Sequence, residues 1–151
     1  MKFEKLQILN LANNKIPNIF ILEKANFKEL KELNLEKNEI SSIKVLEKEK
    51  FEKLEKLNLN WNKIYRIFAL ENANFKELKK LNLNNNNISD IKVFEKVKFE
   101  KLEILNLQSN KISNIDVFEN ANFKVLKKLN LKDNCISNIK VLKKLKCEII
   151  V

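Results

Sequence analysis

The sequence predicts an α/β solenoid: one domain over residues 1–151, with about six to seven short parallel strands on its concave side and short helices or 3-10 turns on its convex side. Three observations predict it. Phenylalanine recurs every 24 residues, at Phe3, Phe27, Phe51, Phe75, Phe99 and Phe123, and Cys147 falls on the next beat. Each beat carries the same phrase: LQILNLANNKI, LKELNLEKNEI, LEKLNLNWNKI, LKKLNLNNNNI, LEILNLQSNKI and LKKLNLKDNCI. Within each phrase the apolar spacing changes from alternation to helix-like steps. A unit this short cannot bury its own apolar face and must stack on its neighbours. The units are 3–26, 27–50, 51–74, 75–98, 99–122 and 123–146, followed by a partial unit, 147–151.

Each element follows from the order of residues in one unit, for example 30 to 53. Leu33-Asn34-Leu35 alternates apolar and polar, the period-2 pattern of a half-buried strand. The chain turns at Asn38, and Ile40 and Ile43 return inward. Ile43, Val45 and Leu46 begin a short helical or 3-10 piece that runs on to Phe51 and Leu54. Ser42 stands in an N-cap-like slot, matched by Asn18, Asp90, Asn114 and Asn138 and broken by Arg66. Asn26, Asn74 and Asn122 fall where a left-handed C-cap would serve. A crossover between equivalent strands makes the sheet parallel, with strands about 4.8 Å apart.

The phrase LxxLxLxxNxI, repeated in six tandem copies over nearly the whole chain, resembles the leucine-rich repeat. The resemblance implies a right-handed solenoid that binds other proteins. The downstream Ile40, Ile43 and Leu46 resemble the intracellular phosphatase-regulator and internalin-like subfamily, here in a 24-residue variant with two extra residues before Phe51. A phosphatase-regulator-like role is the special case this implies.

A longer period overlies the first. Odd units end ENAN or EKAN and are followed by FKE or FKV; even units end EKEK, EKVK or KKLK and are followed by FEK or CEI. The chain therefore also reads as 48-residue double units, 3–50, 51–98 and 99–146, as recent duplication or deliberate design would each produce.

Two asparagine columns recur. Asn14, Asn38, Asn62, Asn86, Asn110 and Asn134 fall on the turn after each strand. The resemblance implies that this ladder is structural: an amide both donates and accepts, and buried backbone groups must be paired. The second column, Asn10, Asn34, Asn58, Asn82, Asn106 and Asn130, is expected on the outer face of the sheet, bonding amide to amide along the ladder. It serves either as a hydrogen-bonding track for a partner or as a stabiliser of the solenoid.

Composition excludes several functions. The chain has no histidine and no glycine, so it lacks the commonest general base and any Gly-rich phosphate loop. Two cysteines and scattered acids give no metal-ligand spacing. Ser41, Ser42, Ser89, Ser113 and Ser137 recur at turns and read as turn residues. No enzyme, cofactor, metal or small-molecule substrate is expected. Cys147 is expected to pack as a small hydrophobe and Cys135 to stay unpaired at the surface. No stretch approaches the apolar length of a membrane span and the start does not read as a signal peptide, so a cytoplasmic location is the expectation. Asn87-Ile88-Ser89 is a glycosylation sequon of the kind an Asn-rich chain produces by chance.

The partner expected is another protein, bound through the concave face of a scaffold or adaptor. Candidate contact residues are Ile8, Ile104, Asn58 and Asn82 on the sheet, and Trp61, Tyr65 and Arg66, the chain's only Trp, Tyr and Arg, clustered within six residues. These are the residue types in which interfaces concentrate their energy. Phe20 and Phe68 occupy a slot that is Lys or Asp elsewhere, and either form a small apolar patch on the rising edge or pack locally. The net charge of +10 is uneven: residues 123–146 hold eight lysines and one acid, while 99–122 are net negative. Electrostatic binding of nucleic acid or an acidic membrane through that last unit is the alternative class, disfavoured because the unit lacks Arg and exposed aromatics for phosphate forks and base stacking. A structural or designed repeat with no evolved ligand is the third. The ends carry no cap sequences, which fits a fragment of a longer array, a tail folded over as a cap, or a monomer that forms at most a weak end-to-end dimer.

Overall fold

The computed structural model describes residues 3–47 and 51–151. Seven three-residue strands form one parallel sheet in chain order: β1 (Ile8–Asn10), β2 (Glu32–Asn34), β3 (Lys56–Asn58), β4 (Lys80–Asn82), β5 (Ile104–Asn106), β6 (Lys128–Asn130) and β7 (Glu148–Ile150). Between them lie six 3-10 turns: η1 (Phe20–Lys24), η2 (Lys44–Glu47), η3 (Phe68–Glu71), η4 (Lys92–Glu95), η5 (Asp116–Glu119) and η6 (Lys140–Lys144). Among the described residues the helical side is 3-10 throughout and contains no α-helix. Four or five residues with β-branched Ile and Val at the entry suit one tight turn and no more.

The strands pair in strict register, Leu9 on Leu33 and so on to Leu105 on Leu129. Each unit thus contributes the same residues to one continuous core. Leu30, Leu33, Leu35, Ile40, Ile43 and Leu46 are fully buried, as are their equivalents through the middle of the array. The phenylalanines stack ring on ring from Phe3 to Phe99, with centroids 5.8 to 6.2 Å apart. Phe123 leaves the stack. Units four and five carry Phe94 and Phe118 where others carry Leu, and Phe123 packs against those two rings.

Three local expectations are corrected. Asn26, Asn74 and Asn122 do not take the left-handed conformation; among the described residues it falls on Asn13, Lys37, Trp61, Asn85, Ser109 and Asp133, where the chain leaves each strand. Asn26 and Asn74 instead donate to Glu4 and Glu52, near the start of their own units. The cap slot acts as expected but one residue before the formal cap. Asp90, Asn114 and Asn138 accept the backbone N–H two residues on at 2.8 to 3.0 Å, Ser42 does so at 3.4 Å, and Asn18, expected in the same slot, caps nothing. Cys147 does not occupy the phenylalanine slot. β7 pairs Glu148 with Lys128, twenty residues on, where the other strands are 24 apart. The last crossover lacks the loop that carries Phe, so Cys147 enters the sheet register beside Lys127 and Ile149 fills the leucine position against the core. The tail extends the sheet and does not fold over it.

The doubled period has a physical consequence. In a parallel in-register stack each side chain lies about 4.8 Å from its copies, so an identical charge in every unit would repel along the whole ladder. Alternating FEK with FKE places Lys on Glu at each junction. Lys28 pairs with Glu4, Lys53 with Glu29, Lys76 with Glu52, Lys101 with Glu77 and Lys124 with Glu100, at 2.6 to 3.3 Å. A third column repeats the device, with Lys79 on Glu55 and Lys127 on Glu103, both at 2.8 Å.

Candidate functional site

The turn asparagines are fixed by this geometry. Asn62 donates to Leu35 O of the preceding unit at 2.9 Å and to Leu59 O and Asn60 O of its own at 3.1 and 3.2 Å. Its Oδ1 accepts the N–H of Ile40 at 3.0 Å. Asn38, Asn86 and Asn110 repeat the pattern and are likewise buried; Asn134 does so half-buried. Asn14 is exposed and bonds only within its own turn. These side chains staple units together.

The outer asparagine column does not form an amide ladder. Asn10, Asn34, Asn58, Asn82, Asn106 and Asn130 each turn Oδ1 onto the N–H two residues on. The column shapes the strand exit, because a side-chain acceptor at i+2 mimics a turn. Asn58 also donates to Glu36 at 3.1 Å. Ile8 and Ile104 share a row of the sheet but stand four strands apart, about 19 Å, with Glu32, Lys56 and Lys80 between them. Ile8 is exposed and Ile104 half-buried. The structure brings Asn58 and Asn82 side by side and keeps the two isoleucines apart.

Unit three departs from its neighbours in three places. Trp61 is 54% exposed and held at φ 53°, in the left-handed region that a bulky side chain resists. Arg66 takes the slot where other units carry a capping acceptor, and a guanidinium accepts nothing. Phe68 stands 54% exposed where units two, four and six carry Lys. Tyr65 and Arg66 come together, the guanidinium 5.4 Å from the ring centre. Phe20 and Phe68 do not merge into one patch, because Lys44 of the intervening unit separates their turns.

A groove of about 520 Å³ lies beside this cluster on the 3-10 flank, between η3 and η4, lined by Tyr65, Arg66, Phe68, Asp90, Lys92 and Lys96 among others. A smaller one of about 100 Å³ lies on the other side, toward Ser42 and Lys44. Sequence reasoning placed the anchors on the concave face and missed the groove. The signal was present in the slot pattern: Arg for an acceptor and Phe for Lys, on the side of the unit that follows the turn.

The basic last unit is partly neutralised. Lys124, Lys127 and Lys144 pair with Glu100, Glu103 and Glu119 of the acidic unit before it, and Lys128 pairs with Glu148. Both cysteines are free; burial raises the pKa of the Cys147 thiol and keeps it protonated. Among the described residues no group of His, Cys, Asp and Glu could hold a metal, and no helix is long and apolar enough to cross a membrane.

A family model described as leucine-rich repeats in two copies matches residues 76–120, two of the six units that share one phrase and one register. The chain has the fold of a leucine-rich repeat solenoid. Among solved structures, an internalin (inlF) from Listeria monocytogenes is similar at TM-score 0.69 and 24% identity, over 97% of this chain and 48% of that one. The leucine-rich repeat ectodomain of a receptor kinase from Arabidopsis thaliana, in complex with CASPARIAN STRIP INTEGRITY FACTOR 2, is similar at TM-score 0.74 and 18% identity, over 97% of this chain and 18% of that one. The plant peptide hormone receptor RGFR1, in complex with RGF2, gives TM-score 0.70 at 20% identity, over 97% of this chain and 24% of that one. These are likenesses of fold, and the chain spans about half the length of the internalin and a quarter or less of the two receptors. No curated protein matches the chain by sequence.

Proposed function

We propose that this leucine-rich repeat protein is a non-catalytic scaffold that binds another protein, with unit three as its principal contact. The observation that carries the reading is the concentration of rule-breaking residues there. Trp61 in a left-handed turn, Arg66 without a cap and Phe68 in water each lower local stability, and places that break local rules are expected where function is served. Leucine-rich repeat neighbours caught with a peptide or protein partner support the class of function. The partner is engaged from the edge of the sheet at Trp61, with Asn58 and Asn82 beside it on the concave face. A cytosolic setting suits an exposed free Cys135. Nucleic acid and membrane are disfavoured, because four of the last unit's eight lysines are paired and the unit has no Arg.

Affinity capture with the wild-type chain and with Trp61→Asn, which installs the residue found at the same turn in units one and four, tests the reading. A partner retained by the wild type and reduced at least tenfold by Trp61→Asn is the expected result. Equal recovery by both would remove Trp61 from the interface. Capture that collapses between about 50 and 200 mM salt in both would favour the electrostatic class.

A further inference from the structure

We propose that the groove between η3 and η4 binds an extended peptide segment carrying an acidic residue followed closely by an apolar one, the carboxylate on Arg66 and the apolar side chain against Phe68. This rests on the binding-scaffold reading and adds the site and the chemistry of the ligand.

Arg66 carries the argument. Cross-unit ion pairs run along this solenoid, yet Arg66 has no carboxylate within ion-pair distance among the described residues; its partner is the Tyr65 ring. A guanidinium stacked on an aromatic face keeps its planar fork of donors free, the geometry that takes a carboxylate in two parallel hydrogen bonds. The slot it fills is one where Asp90, Asn114 and Asn138 supply an acceptor to the turn. The chain has given up that bond at this unit and presents a cation to solvent in its place.

The remaining wall selects a single acid over a polyanion. Glu71 is paired with Lys96 at 3.3 Å, and Asp90 closes its own turn onto Lys92 N. Glu95 is the third carboxylate of the lining. A phosphate chain would run past three carboxylates, whereas a single carboxylate on Arg66 has one acidic neighbour, Asp90, in the same slot one unit on. Phe68, with Val93 opposite, supplies the apolar wall, and the volume of about 520 Å³ is in the range of ligand sites. An extended segment repeats its side-chain direction every second residue, about 7 Å on, which sets an acid and an apolar residue two apart on the same side.

The probe is the capped pentapeptide Ser-Glu-Ser-Leu-Ser, titrated into isotope-labelled full chain and followed by amide shifts. The expected result is a saturable shift of Ser89, Lys92 and Val93, weakened at least fivefold when the probe's Glu is replaced by Gln or its Leu by Ser. Arg66→Asn is expected to abolish the Glu-over-Gln preference while raising the thermal midpoint, because it restores the cap of the neighbouring units. Phe68→Lys, the residue at that slot in units two and four, is expected to abolish the Leu-over-Ser preference. No saturable shift, shifts confined to the sheet rows, an undiminished Glu preference in Arg66→Asn, or a stronger response to decauridylate would each overturn the proposal. Failure here with a partner still captured in a Trp61-dependent manner leaves the scaffold reading standing; loss of that capture alone would count against the scaffold reading and not against the groove.

Discussion

Asn62 holds four backbone groups at once, three carbonyls and one N–H, and two of the four belong to the preceding unit. Truncating it leaves those groups buried and unpaired, so Asn62→Ala is expected to cost about 2–3 kcal/mol in urea unfolding. Asn14→Ala, which frees only exposed carbonyls of its own turn, is expected to cost under about 1 kcal/mol. Equal losses would mean that the cross-unit bonds add nothing. Trp61 is the opposite case. It sits in a conformation that disfavours a bulky side chain and buries less than half of itself in return, so Trp61→Asn is expected to raise stability by about 0.5–1 kcal/mol. A residue whose replacement stabilises the fold and weakens binding is retained for the binding. The ladder was legible in the sequence because it never varies. The left-handed site was not, because Asn, Lys, Trp, Ser and Asp share no chemistry; what they share is a backbone angle imposed by the strand exit.

At the scale of the element, strands and turns were legible to within a residue or two, since every apolar slot repeats. What escaped was the last crossover. Counting from Phe put Cys147 on the beat, but the strand needs only alternating residues that pair with Lys128-Leu129-Asn130, and Glu148-Ile149-Ile150 supplies them four residues early. The ion-pair columns were visible only as an alternation of letters until the register placed the charges on one another. These pairs titrate. The hydrogen bond from Lys79 holds the Glu55 carboxyl below its ordinary range, as Lys63 does for Glu39 and Lys127 for Glu103. A carboxylate with a lower pKa folded than unfolded stabilises the fold above its unfolded value and ceases to as pH falls through the folded one. Stability measured in urea is therefore expected to be level from about pH 7 to 5 and to fall below about pH 4. Replacing Glu39, Glu55 and Glu103 together with Gln is expected to flatten that acid limb. An acid limb of undiminished slope in the triple variant would assign it to other carboxylates.

For the whole molecule, stability is a sum over units and junctions, and the junctions alternate in sign of charge. The smallest segment that can be removed without changing that alternation is 48 residues. Deleting 51–98 would bring unit two against unit five and leave Lys101 facing Glu29, a productive pair like the Lys101–Glu77 pair it replaces. Deleting only 75–98 would bring unit three against unit five, with Glu52 on Glu100, Lys53 on Lys101 and Glu55 on Glu103. Both deletions keep every leucine, phenylalanine and ladder asparagine in register, so the main apolar contacts match, Val45 against Ala69 aside, and the charges differ. Like charges about 4.8 Å apart repel at low salt and are screened when the Debye length falls to about 3 Å at 1 M. The 24-residue deletion is therefore expected to gain stability between 50 mM and 1 M sodium chloride, and the 48-residue deletion to lose stability or hold level, as is expected of the intact chain. The readout is the sign of the salt response, which does not depend on how much core each deletion removes. The same sign in both would mean that the doubled period is a relic of how the array was copied and not a condition for stacking it.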